Sequence, residues 1–330
     1  MKYLSPILII AILIWANEPC TAQHSLLHPE VKIDTSYTLG SALAKYQKKY
    51  PYLKATNYKP INKIKKHENL IYQSYGSRPM HLDLFEPENS AASPRPCVAL
   101  VHGGGWSSGD KSLLEPFALA LADSGYVIIT IEYRLSNEAL YPAAVIDIIT
   151  AIKWLYANAL TFNIDTSHIS IMGSSAGGQL ATLVGVSTAL KKFNDPSIYN
   201  SHLPKIKSII DLDGIIAFIH PLSEEGGKPG KKGSAEKWFG IHFKDDPTKW
   251  NEASALTYVG KNTPPTLFIA SSFPRFNAGR EDMIKIMDRY GIYHDKLIFD
   301  DAPHSFWLFD PWFEPTLNKI IRFLGVVNSR

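Results

Sequence analysis

Runs of apolar residues break this chain into short strands alternating with amphipathic helices. Continuous apolar runs at 97–101, 126–131, 169–172, 206–212 and 266–271 read as strands buried on both faces. Residues 70–75 and 80–85 read as two further strands; the second alternates apolar and polar positions as a half-buried strand does. Residues 296–299 complete the strand set. Helical spacing covers 113–124, 143–157, the run after Gly178 and 281–290. Strands alternating with helices predict an α/β fold with a mostly parallel sheet and helices on both faces.

Two interruptions of this pattern carry chemistry. The first follows the strand at 169–172, where Gly173-Ser174-Ser175-Ala176-Gly177 matches G-x-S-x-G. A serine on a sharp strand-to-helix turn is strained and exposed. Flanking glycines let neighbouring backbone approach it. Ser175 is therefore the candidate nucleophile, beside the positive end of the following helix. The second follows the strand at 97–101, where His102-Gly103-Gly104-Gly105-Trp106 presents three successive glycines. Uncovered N–H groups near Gly104 and Gly105, with that of Ala176, are candidates to hold the oxyanion formed when serine attacks an ester carbonyl, at roughly 3 kcal/mol per donor.

With IEYRL at 131–135 and GSSAGG at 173–178, HGGGW resembles the α/β-hydrolase esterases related to hormone-sensitive lipase and to bacterial feruloyl and acetyl-xylan esterases. The resemblance runs from about His67 to Val327. It implies an α/β-hydrolase fold and a Ser-His-acid esterase with chain order serine, acid, histidine. His304, just past the last strand, stands where that family carries its general base. A neutral imidazole suits that task.

The acid departs from the family's pattern. An aspartate is expected just after the strand at 266–271, yet residues 272–280 contain no carboxylate. Asp282, Glu281, Asp213 and Asp301 remain as candidates, with Asp282 keeping the usual chain order and Asp213 matching a position some lipases use. Arg275 and Arg280 bracket the acid-free loop. Because arginine forks grip carboxylates bidentately, these two are either candidate contacts for an anionic substrate, uronic acid above all, or surface arginines of which one pairs with Glu281 or Asp282.

Residues 271–283 and the aromatic stretch 303–315 are similar to a narrower group, pectin-active esterases of the Bacteroidetes type. That similarity implies removal of methyl or acetyl groups from galacturonate-containing polysaccharide, with Trp307 and Trp312 either candidate sugar platforms or packing of the final helix; Trp106, after the glycine loop, is a further candidate substrate contact. Residues 220–260 form a long irregular insertion expected to act as a lid, in which Trp238 and Trp250 either stack on sugar or anchor the insertion.

Charge and composition refine this picture. Residues 35–67 carry eight lysines and no Asp or Glu, and Lys228, Lys231 and Lys232 form a second group, in a chain of net charge +3. The lysines read as a solvated face or as attraction to an acidic polysaccharide. No nucleic-acid motif accompanies them. Lys2 followed by the apolar run 6–16 reads as a signal peptide over 1–22, cleaved before Gln23, and its core is too short for a stable membrane span. A basic extension over 23–66 would then precede a hydrolase domain at 67–330, in a secreted or periplasmic protein. Cleavage would leave Cys97 as the sole cysteine, excluding an intramolecular disulfide; lipid attachment at Cys20 stays open. No metal-ligand spacing is present, and the chemistry requires no cofactor. The reading is a pectin esterase, against a xylan esterase or a non-catalytic polysaccharide-binding protein.

Overall fold

The computed structural model describes residue 34, residues 36–89, 91, 93–188, 190–194, 199, 203–225 and 232–330. The expected signal peptide with its cleavage site, Cys20, Lys228 and Lys231 lie outside these residues. No helix among the described residues is long and apolar enough to cross a membrane.

Eight strands form one sheet: β1 (Ile64–Tyr75), β2 (Arg78–Pro87), β3 (Arg95–Val101), β4 (Val127–Ile131), β5 (Ile164–Ser174), β6 (Ser208–Leu212), β7 (Thr266–Ser271) and β8 (His294–Phe299). Their spatial order is β1-β2-β4-β3-β5-β6-β7-β8. The β1–β2 and β2–β4 ladders are antiparallel and the rest parallel. This is the α/β-hydrolase arrangement. The central strands are apolar throughout because both faces are covered. On β3, Cys97, Ala99 and Val101 enter one core while Val98 and Leu100 enter the other.

Helices α3 (Ala143–Ala157), α4 (Ala176–Ser187), α5 (Ser234–Phe239), α6 (Pro247–Glu252) and α7 (Arg280–Arg289) contribute to the first core. Helices α1 (Leu39–Gln47), α2 (Glu115–Asp123) and α8 (Phe313–Asn328) contribute to the second. Burial pushes the Cys97 thiol pKa up, as expected for an inert core cysteine.

The basic stretch before residue 67 is joined closely to the sheet. Lysines 65 and 66 lie within β1, an edge strand on which charged side chains discourage pairing with another chain. Further upstream, a reciprocal Thr38–Ser41 capping box starts α1. Ala42, Tyr50 and Leu53 are buried with Trp312 and Phe313, and Lys54–Ala55 pairs antiparallel with Phe309–Asp310. Lysines face solvent while aromatic residues between them hold the segment against α8.

Candidate active site

The site sits at the carboxyl ends of β3, β5, β6 and β7. Ser175 follows β5 with φ 54° and ψ −122°, the strained turn expected of a nucleophile elbow, and its N–H donates to Leu212 O at 2.7 Å. The elbow glycines are required by close approach. A Cβ at Gly173 would lie 2.0 Å from Gly177 O, and one at Gly177 would lie 2.2 Å from Val101 O.

His304 Nε2 lies 2.8 Å from Ser175 Oγ, and its Nδ1 lies 2.9 Å from Asp213 Oδ2. The Nδ1–H that donates to Asp213 leaves Nε2 to accept the serine proton. Asp213 follows β6 with φ 54°. Its Oδ1 accepts the Ser271 N–H at 2.8 Å, and its Oδ2 accepts the Ser271 hydroxyl at 2.5 Å. Ser271, the last residue of β7, thus supplies donors to a carboxylate on the neighbouring strand. Two residues earlier, Asp211 is buried with a pKa raised well above the usual carboxylate range by desolvation, reinforced by the Asp213 charge. Its Oδ1 accepts the Gly214 N–H at 2.8 Å and pins the turn that presents Asp213.

The other acid candidates point elsewhere. Asp282 lies 3.2 Å from His220 Nε2 and 3.3 Å from Lys285 Nζ, and chiefly the Lys285 bond holds its pKa down. Asp301 accepts from Tyr50 OH, and Glu281 from Arg280 Nε. Asp282 follows the usual chain order but lies in the first turn of α7, where it is bonded to His220 and Lys285.

The loop after β7 provides an aromatic face where the carboxylate was expected. Phe276 stacks on the His304 ring, with centroids 3.6 Å apart and planes 5° from parallel, and Trp307 meets the same ring edge-on. Desolvation by this packing lowers the His304 pKa below its ordinary 6.5, while the bond and charge of Asp213 oppose the shift. Smaller pushes in the lowering direction come from the positive charges of Arg275 and Lys45. The base therefore stays neutral to lower pH than a free imidazole. The acidic limb of kcat/KM is expected to have its midpoint below 6.5; a pH profile with that midpoint above 6.5 would contradict the burial argument.

Ser175 opens into a cavity of about 280 Å³ whose walls include Trp106, Ile215, Phe276, Gly105 and Ala176. The N–H groups of Gly104, Gly105 and Ala176 donate to no acceptor among the described residues. Gly105 and Ala176 line the cavity, whereas Gly104 is not among the lining residues and its carbonyl accepts from Ser107 and Ser108. Trp106 lines one wall, fixed by its Nε1–H bond to Gln179 and by stacking on Trp238 at 5.2 Å. Among the described residues, no group of three or more His, Cys, Asp or Glu is placed to hold a metal ion.

Several expected substrate contacts are corrected by burial. Trp307 is 1% exposed and serves as packing behind His304, so it offers no face to a sugar. Trp312 is buried against Tyr50 and Tyr52, and Trp238 and Trp250 are fully buried anchors of the 220–260 insertion. Arg280 is buried away from the cavity lining, with Nε bonded to Glu281. Arg275 does line the cavity, but its guanidinium is paired with buried Glu225 from the insertion. Sequence reasoning missed Ser271, Phe276, Glu225, Ser234, Lys45 and Tyr46. The DLDG segment at 211–214 beside an acid-free β7 loop was the available signal for the first.

Fold and site are those of the α/β-hydrolase carboxylic ester hydrolases. The chain matches the BD-FAE family over residues 82–273, more than half its length, and belongs to that family. It is 27% identical over 228 residues to esterase LipC of Mycobacterium tuberculosis, a match covering 64% of this chain and about half (54%) of LipC. Among solved structures, a bifunctional GH43-CE protein of Bacteroides eggerthii superposes with TM-score 0.67 at 22% identity, covering 79% of this chain and 38% of that one. A truncated carbohydrate esterase from gut microbiota gives TM-score 0.66 at 19% identity, covering 84% and 100% of the two chains.

Proposed function

We propose that the protein is an exported serine carbohydrate esterase that removes methyl or acetyl groups from pectin. The observation that carries this reading is the continuous Asp213–His304–Ser175 relay opening into a small cavity. As Oγ bonds to the ester carbon, its proton passes to His304 Nε2. The oxyanion is held by N–H groups of the glycine loop and Ala176. Collapse breaks the ester C–O bond, and the departing alcohol takes the proton from Nε2. Water, deprotonated by the same nitrogen, then releases the acid and restores the serine. Methanol is the first product from a methyl ester. From an acetyl ester the sugar hydroxyl leaves first and acetate second.

A cavity of about 280 Å³, near the lower end of the range for small-molecule sites, has room for an ester group together with part of the sugar that carries it. The pectin assignment draws further support from the lysine-rich stretch before residue 67. A second reading, hydrolysis of neutral xylan esters, is favoured by the pairing of Arg275 with Glu225, which neutralises the guanidinium charge. Incubation with methylated, acetylated pectin and with acetylated xylan, quantifying methanol and acetate separately, decides between them. Methanol or acetate from pectin in excess of acetate from xylan is the expected result. Product from xylan alone would move the assignment to neutral esters, and turnover of no ester at all would return the binding-protein reading.

A further inference from the structure

We infer that Lys45, on the amino-terminal helix α1, reads the carboxylate of an acidic ester at the mouth of the Ser175 cavity. The inference rests on the carbohydrate-ester reading above and names the charge its substrate carries.

The charged groups lining the cavity are Lys45, Asp213, Glu225 and Arg275, together with the titratable His304. Asp213 is engaged by His304 and Ser271, and Glu225 and Arg275 neutralise one another. Lys45 has no carboxylate within ion-pair distance among the described residues; its ammonium lies only over the Tyr46 ring, 4.9 Å from the centroid. With His304 neutral the formal charges of the lining sum to zero, and Lys45 is the one charged group of that lining with neither an ion pair nor a hydrogen bond among the described residues.

That charge is carried on a fixed support. Tyr37 OH lies 3.2 Å from Ser305 Oγ, one residue beyond His304. At the other end of α1, Tyr50 OH donates to Asp301, and the Tyr50 ring packs against Trp312. Both anchors reach the segment that carries His304, so α1 and the base hold their relative position. Tyr46 lines the cavity beside Lys45 and adds apolar surface to the same wall. A long flexible stem lets the ammonium meet a carboxylate without the strict geometry an arginine fork imposes.

Because Lys45 is exposed, the gain is modest and salt-sensitive. The test measures kcat/KM for the full chain, Lys45→Gln and Lys45→Arg on 4-acetoxybenzoate and 4-acetoxybenzamide. These aryl acetates differ in a carboxylate against a neutral amide. The ratio of acidic to neutral kcat/KM is expected to fall about fivefold in Lys45→Gln, to persist in Lys45→Arg, and to shrink in the parent as salt rises. A ratio left unmoved by Lys45→Gln, including an equal loss on both esters, overturns the inference. The same proteins are then given acetylated galacturonate and xylan oligosaccharides. Failure of the parent on both sugars defeats the carbohydrate reading, while the aryl acetate ratio still decides the role of Lys45.

Discussion

Ser175→Ala is expected to lower kcat for ester hydrolysis by about 10⁶-fold, because the remaining relay has no atom to bond to the carbonyl carbon. Stability should change little. The strain at this position comes from a Cβ on a backbone with φ 54°, and alanine keeps that Cβ. Ser175→Gly separates the two effects: it is equally inactive but relieves strain of about 1–3 kcal/mol, so its thermal midpoint should rise above that of the alanine variant. Turnover by purified Ser175→Ala within a hundredfold of the parent would show that another group is the nucleophile.

Asp213→Asn is expected to lower kcat by about 10⁴-fold, for a reason visible in the hydrogen bonds. The Ser271 backbone N–H can only donate, so the amide oxygen must take the place of Oδ1. The amide nitrogen then takes the place of Oδ2, facing the Ser271 hydroxyl, which can rotate, and His304 Nδ1, which must become an acceptor. That tautomer carries its proton on Nε2 and cannot receive the serine proton. Asp282→Asn provides the contrast, since its carboxylate serves His220 and Lys285, and kcat should stay within about twofold, the range of changes away from the reacting groups. A large loss in Asp282→Asn with a small one in Asp213→Asn would reverse the assignment of the relay's acid.

Much of the sheet was legible in the sequence because buried parallel strands are nearly continuous apolar runs. The strand at 266–271 and the helix at 143–157 coincide with their observed bounds. The elbow and the glycine loop were legible because glycine spacing reports backbone geometry directly. The acid stayed open between Asp213 and Asp282 because the choice turns on the φ of one residue and on two donors from Ser271, which lies 58 positions away. Periodicity carries neither. Trp307 and Arg280 were misplaced for a related reason: an aromatic or arginine near the site in sequence has no readable exposure. The lysines over 35–67 masked a second pattern, the spaced Tyr37, Ala42, Tyr46, Tyr50 and Leu53, which docks α1 against the body and brings Lys45 to the cavity.

Ser174 pairs with Leu212 across the β5–β6 ladder, so the nucleophile and its acid extend from the same rung of two adjoining strands. Their separation is set by backbone hydrogen bonds and does not depend on the length of any connecting loop. The β7 loop is thereby released from proton transfer and supplies instead Phe276 against the base and Arg275 at the cavity wall. The register of two strands thus holds Ser175 against Asp213 whatever the loops do, whereas the base depends on its packing: substitutions at Phe276 or in the anchors of α1 act on His304 without altering the spacing of nucleophile and acid.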